Sequence, residues 1–299
     1  MNSTPVSSSV AALMSLLWAV SAQAKPVDFA FSWGVGEAEV VEKIDKMVNG
    51  TPRQLERVYT LRLYKDDAGL HLTRSTPVIR KMDQQAIDPT DPIQTLQAEP
   101  FPQVILNKDG TVQSVDQVEP YYQYWRQRLP AHETARVHDA EQMQQWVFNH
   151  VSAYWCQWSC PWVGLSLEAN TPRQTPQGVQ YIHARDVMGE TVTYSGLYQK
   201  GPLLSVTYQS EQPVSGRNIL DIMPHITQAL GDTHALSERD LAALPVLSGS
   251  RVLTITAALQ PASFRPAHVK VVRTVQMSDL KTQPHVATDT HDFRFRWMP

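Results

Sequence analysis

The sequence predicts an α+β protein in which an antiparallel β-sheet carries most of the chain and a few helices accompany it. Extended segments follow one another at short spacing, glycine-containing turns separate several of them, and helical patterns are few. In the segment 268–277, Val269, Val271 and Val275 share one face, whereas the other face is mostly polar. One apolar and one polar face are typical of a strand in an antiparallel sheet.

The predicted strands are identified by alternation of apolar residues and by the turns between them. Asn49-Gly50 is typical of a hairpin turn, so the segment 40–48 is interpreted as a strand, although its pattern also fits a helix. In chain order, the predicted strands are 27–33, 40–48, 58–64, 70–74, 103–106, 111–115, 179–186, 191–198, 203–208, 251–259 and 268–277.

One helix is predicted with a clear beginning. Residues 139–142 have the form of a capping box, and the apolar residues after them recur at steps of three and four. A shorter helix is predicted over 121–129, between two prolines, and weaker ones over 218–230 and after Ser237. The segment 281–292 is interpreted as a polar tail.

The first 24 residues are predicted to be a cleavable signal peptide. The apolar stretch from Val10 to Ala22 ends in Ala22-Gln23-Ala24, a pattern that signal peptidase accepts. This stretch is too short to cross a bilayer. We therefore expect a periplasmic or secreted protein, cleaved after Ala24, whose mature form has no transmembrane segment. Residues 25–299 are expected to form one α+β domain; any subdivision lies near 165–178, where two halves of one sheet are favoured over two domains.

Cys156 and Cys160 are the only cysteines in the chain. A disulfide is favoured because an oxidising compartment promotes it; free thiols and a metal or redox pair are the alternatives. Two cysteines four residues apart inside a helix have poorly aimed Cβ vectors. The pair is therefore expected where a helix ends and turns, just before Pro161.

Composition and motifs argue against several functions. The net charge of −3 and the lack of a Lys/Arg cluster disfavour nucleic-acid binding. No nucleophile elbow and no glycine-rich phosphate loop is present, so no catalytic residue and no cofactor is predicted, and the protein is interpreted as a non-enzyme. The densest group of histidines and carboxylates, His285, Asp289, His291 and Asp292, falls in the predicted polar tail and is interpreted as a solvated loop rather than a metal site.

Tyrosine and tryptophan are concentrated between residues 121 and 162. These side chains combine a large apolar body with a polar edge, so they can pack a helix on a sheet, line an apolar pocket or contact a partner. Trp158 and Trp162, which flank the cysteines at the predicted turn, are expected to be the most exposed. The candidate ligand-binding residues are Trp125, Trp146, Tyr154, Trp155, Trp158 and Trp162.

Three segments carry a resemblance to exported bacterial LolA-like proteins, which include lipoprotein and lipid carriers. They are the Phe29–Gly34 segment, the Pro102–Gly110 segment and the Ala258–Pro266 segment, in that order along the chain. The resemblance implies a curved antiparallel sheet, a half-barrel, with helices covering its concave face. It also implies that an acyl chain binds in the hollow between sheet and helix.

The predicted function is binding of an apolar or amphipathic ligand, such as a lipid or acyl chain, in that hollow. Burial of hydrocarbon is worth roughly 0.8 kcal/mol per methylene, which makes such a hollow a favourable site. The alternatives are a non-enzymatic module for envelope interaction or assembly, with an envelope protein as its partner, and an enzyme of unrecognised type. Ligand binding requires a continuous cavity, whereas an interaction module requires a closed core and an exposed aromatic patch.

Overall fold

The computed structural model describes residues 28–48, 51–82, 99–127, 137–164, 173–176, 178–187, 190–215, 248–278 and 285–298. Thirteen strands and two helices are formed in these ranges. The elements are β1 (Gly36–Val48), β2 (Thr51–Asp66), β3 (Gly69–Arg74), β4 (Val78–Met82), β5 (Gln103–Leu106), β6 (Val112–Asp116), α1 (Val118–Arg126), α2 (Ala140–Cys156), β7 (Arg173–Thr175), β8 (Gly178–Val187), β9 (Glu190–Lys200), β10 (Leu204–Ser215), β11 (Ser248–Leu259), β12 (Pro266–Ser278) and β13 (His285–Trp297).

All thirteen strands belong to one antiparallel sheet. Its order is β6-β5-β3-β2-β1-β13-β12-β11-β10-β9-β8-β7, with β4 paired to β2 beyond the end of β3. The sheet is open, because within the described residues β6 and β7 lie at opposite edges and do not pair. The predicted fold class, an α+β protein with a curved antiparallel sheet and helices on one face, is confirmed.

The face that the helices cover is called the inner face here. In β1 it carries Ala38, Val40, Glu42 and Ile44, all of which are buried, as the period-two geometry of a strand requires. Glu42 is the one charged residue in this series. A single large core, to which both helices and most strands contribute, packs against this face.

Helix α2 is stabilised by an N-terminal cap and by burial of an apolar stripe. The Asp139 side chain accepts a hydrogen bond from the Gln142 backbone N–H at 2.8 Å, which satisfies one of the free donors of the first turn. Val147, Val151 and Trp155, at four-residue steps, are fully buried. The helix ends at Cys156, which forms a disulfide with Cys160 in the turn that follows. The predicted disulfide and its place at a helix end are confirmed.

The hairpins predicted from glycine-containing loops are also confirmed. Strands β2 and β3 pair around the turn at 67–68, and β5 pairs with β6 around the turn at 107–111. The ambiguous segment 40–48 is part of strand β1, and the predicted strand groups in the second half of the chain correspond to β8 to β12. The predicted helix 121–129 is observed as α1, which begins three residues earlier.

Two predictions about extended structure are wrong. Residues 29–33 form no strand, although Phe29 and Trp33 are buried and Ala30 and Ser32 are exposed. The alternation is real, but its cause is insertion of aromatic rings into the core and not strand pairing. Only Asp28 makes an isolated bridge in this segment.

The segment interpreted as a polar tail is also assigned wrongly. Residues 285–297 form β13, a central strand between β1 and β12. Residues 289 and 291 lie on the inner face, where charged groups of neighbouring strands pair with them. Because polar residues occupy both faces of this half of the strand, the period-two hydrophobic pattern that identifies a strand is missing.

The predicted helices 218–230 and after Ser237, and the predicted signal peptide, lie outside the described residues. No helix in the described ranges is both long and apolar enough to cross a membrane.

Candidate functional site

The hollow between α2 and the inner face is filled by tryptophan side chains. Trp33, Trp155, Trp158 and Trp162 are at most 1 % exposed. The rings of the first three meet edge to face, with centroids 5.0 Å apart for Trp33 and Trp155 and 5.9 Å apart for Trp155 and Trp158, a favourable geometry for aromatic pairs. These rings therefore occupy the volume in which the sequence predicted a ligand.

Trp158 and Trp162 were expected to be the most exposed of the candidate residues, and this expectation is wrong. The turn after α2 folds back onto the segment 29–33, where the Gly164 N–H donates to the Phe29 carbonyl at 2.7 Å. Trp158 consequently packs against Phe293 and Phe295 of β13.

The other three predicted residues are partly buried against the core. Trp125 and Trp146 lie between the two helices, where both contact the imidazole of His150. Tyr154 faces the sheet, and its hydroxyl is 3.2 Å from that of Tyr59. The structure thus divides the six predicted residues between two packed groups, and none of them lines either cavity described below.

A buried ionic network crosses the inner face beside Tyr154. The Arg57 guanidinium donates to Glu42 Oε2 at 2.7 Å and to Glu99 Oε2 at 2.9 Å. Arg74 Nη2 forms a second ion pair with Glu99 at 3.0 Å. All four residues are buried, so each charge depends on the others for compensation.

His291 extends this network toward the centre of the sheet. Its Nδ1 is 2.8 Å from Glu42 Oε1, and its Nε2 is 3.4 Å from Asp289 Oδ1. Arg273 of β12 donates to the other oxygen of Asp289 at 3.3 Å. Charged groups from β3, β2, β1, β13 and β12 are thereby linked across one face, which ties the N-terminal and C-terminal strands together.

The network shifts the pKa values of Glu42 and His291 toward their charged forms. Burial raises the pKa of Glu42, but Arg57 and His291 outweigh it and lower that pKa to about 2. Burial lowers the pKa of His291, but Asp289 and Glu42 outweigh it and hold the pKa above its ordinary value. None of these charged residues lines either of the two cavities described below.

These shifts predict how stability depends on pH. Because the folded pKa of His291 is raised, its contribution to the free energy of unfolding is complete below about pH 6.5 and is lost as pH rises through the folded value. Glu42 acts in the opposite sense, and its contribution is lost as pH falls from about 4.5 toward 2. Urea unfolding between pH 5 and 9 measures the first effect. His291→Gln is expected to remove this slope; an unchanged slope in that variant would contradict the assignment.

An open cavity of about 830 Å³ lies where the N-terminal segment meets two hairpin turns. Its lining combines apolar side chains with a few polar and charged groups, as small-molecule sites commonly do. The lining residues are Phe31, Ser32, Trp33, Gly34, Val35, Lys65, Ala68, Gly69, Leu70, Leu106, Asn107, Lys108, Asp109 and Gln113.

Two hairpin turns form one wall of the cavity, and a local contact holds each of them in place. Asp66 Oδ1 accepts the backbone N–H groups of Ala68 and Gly69 at 2.8 and 3.3 Å in the β2–β3 turn. In the β5–β6 turn, Gly110 has φ +82°, and a Cβ there would lie 2.4 Å from the Phe31 ring. Glycine is therefore required for Phe31 to reach its place in the cavity wall.

The opposite wall is positioned by Arg265, in the turn between β11 and β12. Its Nε donates to the Trp33 carbonyl at 2.6 Å, and its Nη2 donates to the Val35 carbonyl at 2.7 Å. The guanidinium also lies over the Trp297 ring, 4.5 Å from its centroid, within cation–π range. This side chain anchors the segment 33–35 at the C-terminal end of β13.

A second cavity, of about 600 Å³, adjoins the first and shares Val35 and Lys65 with it. Its remaining lining residues are Gly36, Glu37, Arg62, Leu63, Tyr64 and Met298. Val35 and Met298 are 60 % and 40 % exposed, and both belong to the few large apolar side chains exposed in the described ranges. Two of the five large apolar side chains that are exposed in the described ranges therefore lie at the second cavity.

Sequence reasoning identified the aromatic segments but missed the cavity. Phe31 and Trp33 were placed in a predicted strand and in a segment that carries the family resemblance, and the residues between the predicted strands 58–64 and 70–74 and between 103–106 and 111–115 were interpreted as turns. The two predicted hairpin turns could have indicated a site, because turns at the same end of a sheet can lie close together. The strand order was needed to know that these two turns meet. As to metals, no group of three His, Cys, Asp or Glu side chains within the described ranges could hold an ion.

Comparison with known proteins gives a limited result. No protein-family model matches the chain, and no curated protein matches it. Among solved structures, a similar one is that of lipovitellin, described as "lipid-protein interactions in lipovitellin", with a TM-score of 0.41 and 9% identity. The likeness covers 89% of this chain but only 25% of that one. It is too weak to support a functional statement.

Proposed function

We propose that this protein binds the acyl chain of an apolar or amphipathic ligand in the 830 Å³ cavity, without chemical conversion of that ligand. The observation that carries the proposal is an open cavity walled by Phe31, Trp33, Leu70 and Leu106. Ligand sites typically measure roughly 300–1,000 Å³ and are lined mainly by apolar groups. Its size and lining therefore suit a hydrocarbon chain.

The site differs from the one that the sequence suggested. The hollow under α2 is occupied by tryptophan rings, so the proposed ligand lies at the end of the hollow, between the N-terminal segment and the two hairpin turns. Trp33 belongs to both places, since it packs on Trp155 and also lines the cavity. The core thus provides a rigid floor for the site.

The proposed setting is outside the cytoplasm. The leader-like sequence that ends at Ala24 supports export, and the Cys156–Cys160 disulfide is of the kind that persists in oxidising compartments. Cell fractionation of the full chain tests this part of the proposal. Periplasmic protein that begins at Lys25 is expected, and uncleaved protein in the cytoplasm would contradict it.

Binding is tested with saturated fatty acids of increasing length, by isothermal titration calorimetry. Affinity is expected to rise by up to about fourfold per methylene until the cavity is filled, because each buried methylene contributes roughly 0.8 kcal/mol. Val35→Asp, which places a charge at the mouth of both cavities, is expected to weaken binding at least about tenfold, since an unpaired charge must lose water beside the chain.

Val78→Asp is the matched control. Val78 is 66 % exposed, close to the value for Val35, and lines neither cavity. The Val78→Asp variant is expected to bind fatty acids with the same affinity as the unchanged protein. Equal loss of affinity in both variants, or an affinity that does not change with chain length, would contradict the proposed site.

A further inference from the structure

The charges around the first cavity are unequal in sign. Lys65 and Lys108 line it on the two hairpin turns, and Asp109 is the one carboxylate in its lining. Asp109 is engaged within its own turn, where its Oδ1 accepts bonds from the Thr111 backbone N–H at 3.0 Å and from the Thr111 hydroxyl at 2.6 Å. Both lysines are exposed, and within the described residues neither forms an ion pair.

The second cavity continues this pattern. Lys65 lines both cavities, and the second adds Arg62 and Glu37. Counting both linings gives three cationic side chains, Arg62, Lys65 and Lys108, against two carboxylates, Glu37 and Asp109. Phe31 and Trp33 belong to the first cavity, whereas Lys65 lines both cavities. The site is thus apolar on one side and carries a positive excess at its rim.

We propose that the ligand is a single-chain anionic amphiphile of the fatty-acid type, whose chain contacts Phe31 and Trp33 and whose anionic end is held by Lys65 and Lys108. This inference rests on the proposed acyl-chain binding and adds the charge of the ligand to it. The lysines come from separate turns, so they can approach one headgroup from two sides. Complementary charge favours an anion at this rim and disfavours a cation.

The test compares three ligands that share a twelve-carbon chain and differ in charge: dodecanoate, dodecanol and dodecyltrimethylammonium. Each is titrated calorimetrically into the mature protein, below its micelle concentration, at low salt. Dodecanoate is expected to bind most tightly and dodecyltrimethylammonium most weakly. The preference is expected to shrink at high salt, because exposed charges are screened.

Substitutions assign the preference to the two lysines. Lys65→Gln and Lys108→Gln are each expected to weaken dodecanoate binding roughly two- to fivefold, the range expected for exposed ion pairs, and to weaken dodecanol binding by a smaller factor. Lys270→Gln is the control, since Lys270 is exposed on β12 and lines neither cavity. The double variant is expected to bind dodecanoate and dodecanol alike.

The outcomes separate the two proposals. Equal affinity for all three ligands would overturn the anionic assignment and leave acyl-chain binding in place. Failure of all three to bind would overturn both. Vesicles of phosphatidylglycerol, offered in parallel, address the source of the anion: tight vesicle binding that the double variant abolishes, with no binding of monomeric dodecanoate, would overturn the single-chain ligand in favour of a membrane lipid.

Discussion

Replacement of Arg57 by methionine is expected to lower the free energy of unfolding by about 3–5 kcal/mol, because it leaves buried charges without their partner. Arg57 is 1 % exposed and pairs with both Glu42 and Glu99, which are themselves buried. The variant leaves Glu42 with only His291 and Glu99 with only Arg74 as the charged partners described above, on a face where water cannot replace the lost guanidinium. Chemical denaturation at neutral pH measures the loss.

Arg296→Met is the control for Arg57→Met. Arg296 also pairs with a glutamate of β1, Glu39, at 3.2 Å, but its side chain is 75% exposed. An exposed pair contributes at most about 1 kcal/mol, so this variant is expected to remain close to the unchanged protein. Comparable effects in the two variants would show that the buried network does not have the assigned energetic role.

Coupling within the network is measured by a double-mutant cycle. Glu42→Gln removes one of the two carboxylates that depend on Arg57, so the double variant with Arg57→Met is expected to lose less stability than the sum of the single variants. Non-additivity of this kind is typical of residues in one ionic network. Additive losses would contradict direct coupling between the two side chains.

Trp155→Ala is expected to destabilise the protein by about 3–5 kcal/mol, the usual cost of removing a large aromatic side chain from a core. Trp155 is fully buried, packs on Trp33 and Trp158, and donates from Nε1 to the Gly110 carbonyl at 2.7 Å. It therefore connects helix α2 to the β5–β6 turn. Urea unfolding followed by circular dichroism measures the loss.

Trp155→Phe separates packing from hydrogen bonding in this contact. The phenyl ring retains most of the apolar contact but has no donor for Gly110, so a loss of about 1–3 kcal/mol is expected from the unsatisfied buried carbonyl. Val286→Ala, on an exposed side chain of β13, is expected to stay within about 0.5 kcal/mol of the unchanged protein. A loss below 1 kcal/mol for Trp155→Ala would show that the hollow is not a tightly packed core.

The cavity residues could not be assembled from the sequence because they are distant along the chain. Phe31, Leu70 and Leu106 come from three separate segments, and only the order of β1, β2, β3 and β5 places these segments side by side. The aromatic group 121–162 was conspicuous because its members are close in sequence. That proximity reflects how one helix packs on a sheet, and it does not identify a site.

The sequence by itself determined the features that depend on nearby residues. The hairpins β2–β3 and β5–β6 follow from their turns, α2 from Asp139 and its apolar stripe, and the disulfide from the end of that helix. Tertiary structure decided the place of β13, because Asp289 and His291 are stable on a buried face only when Glu42 and Arg273 compensate them. Tertiary structure also decided which residues line the cavity. Local propensity acts over a few residues, whereas burial of charge and the shape of a cavity depend on which strands become neighbours.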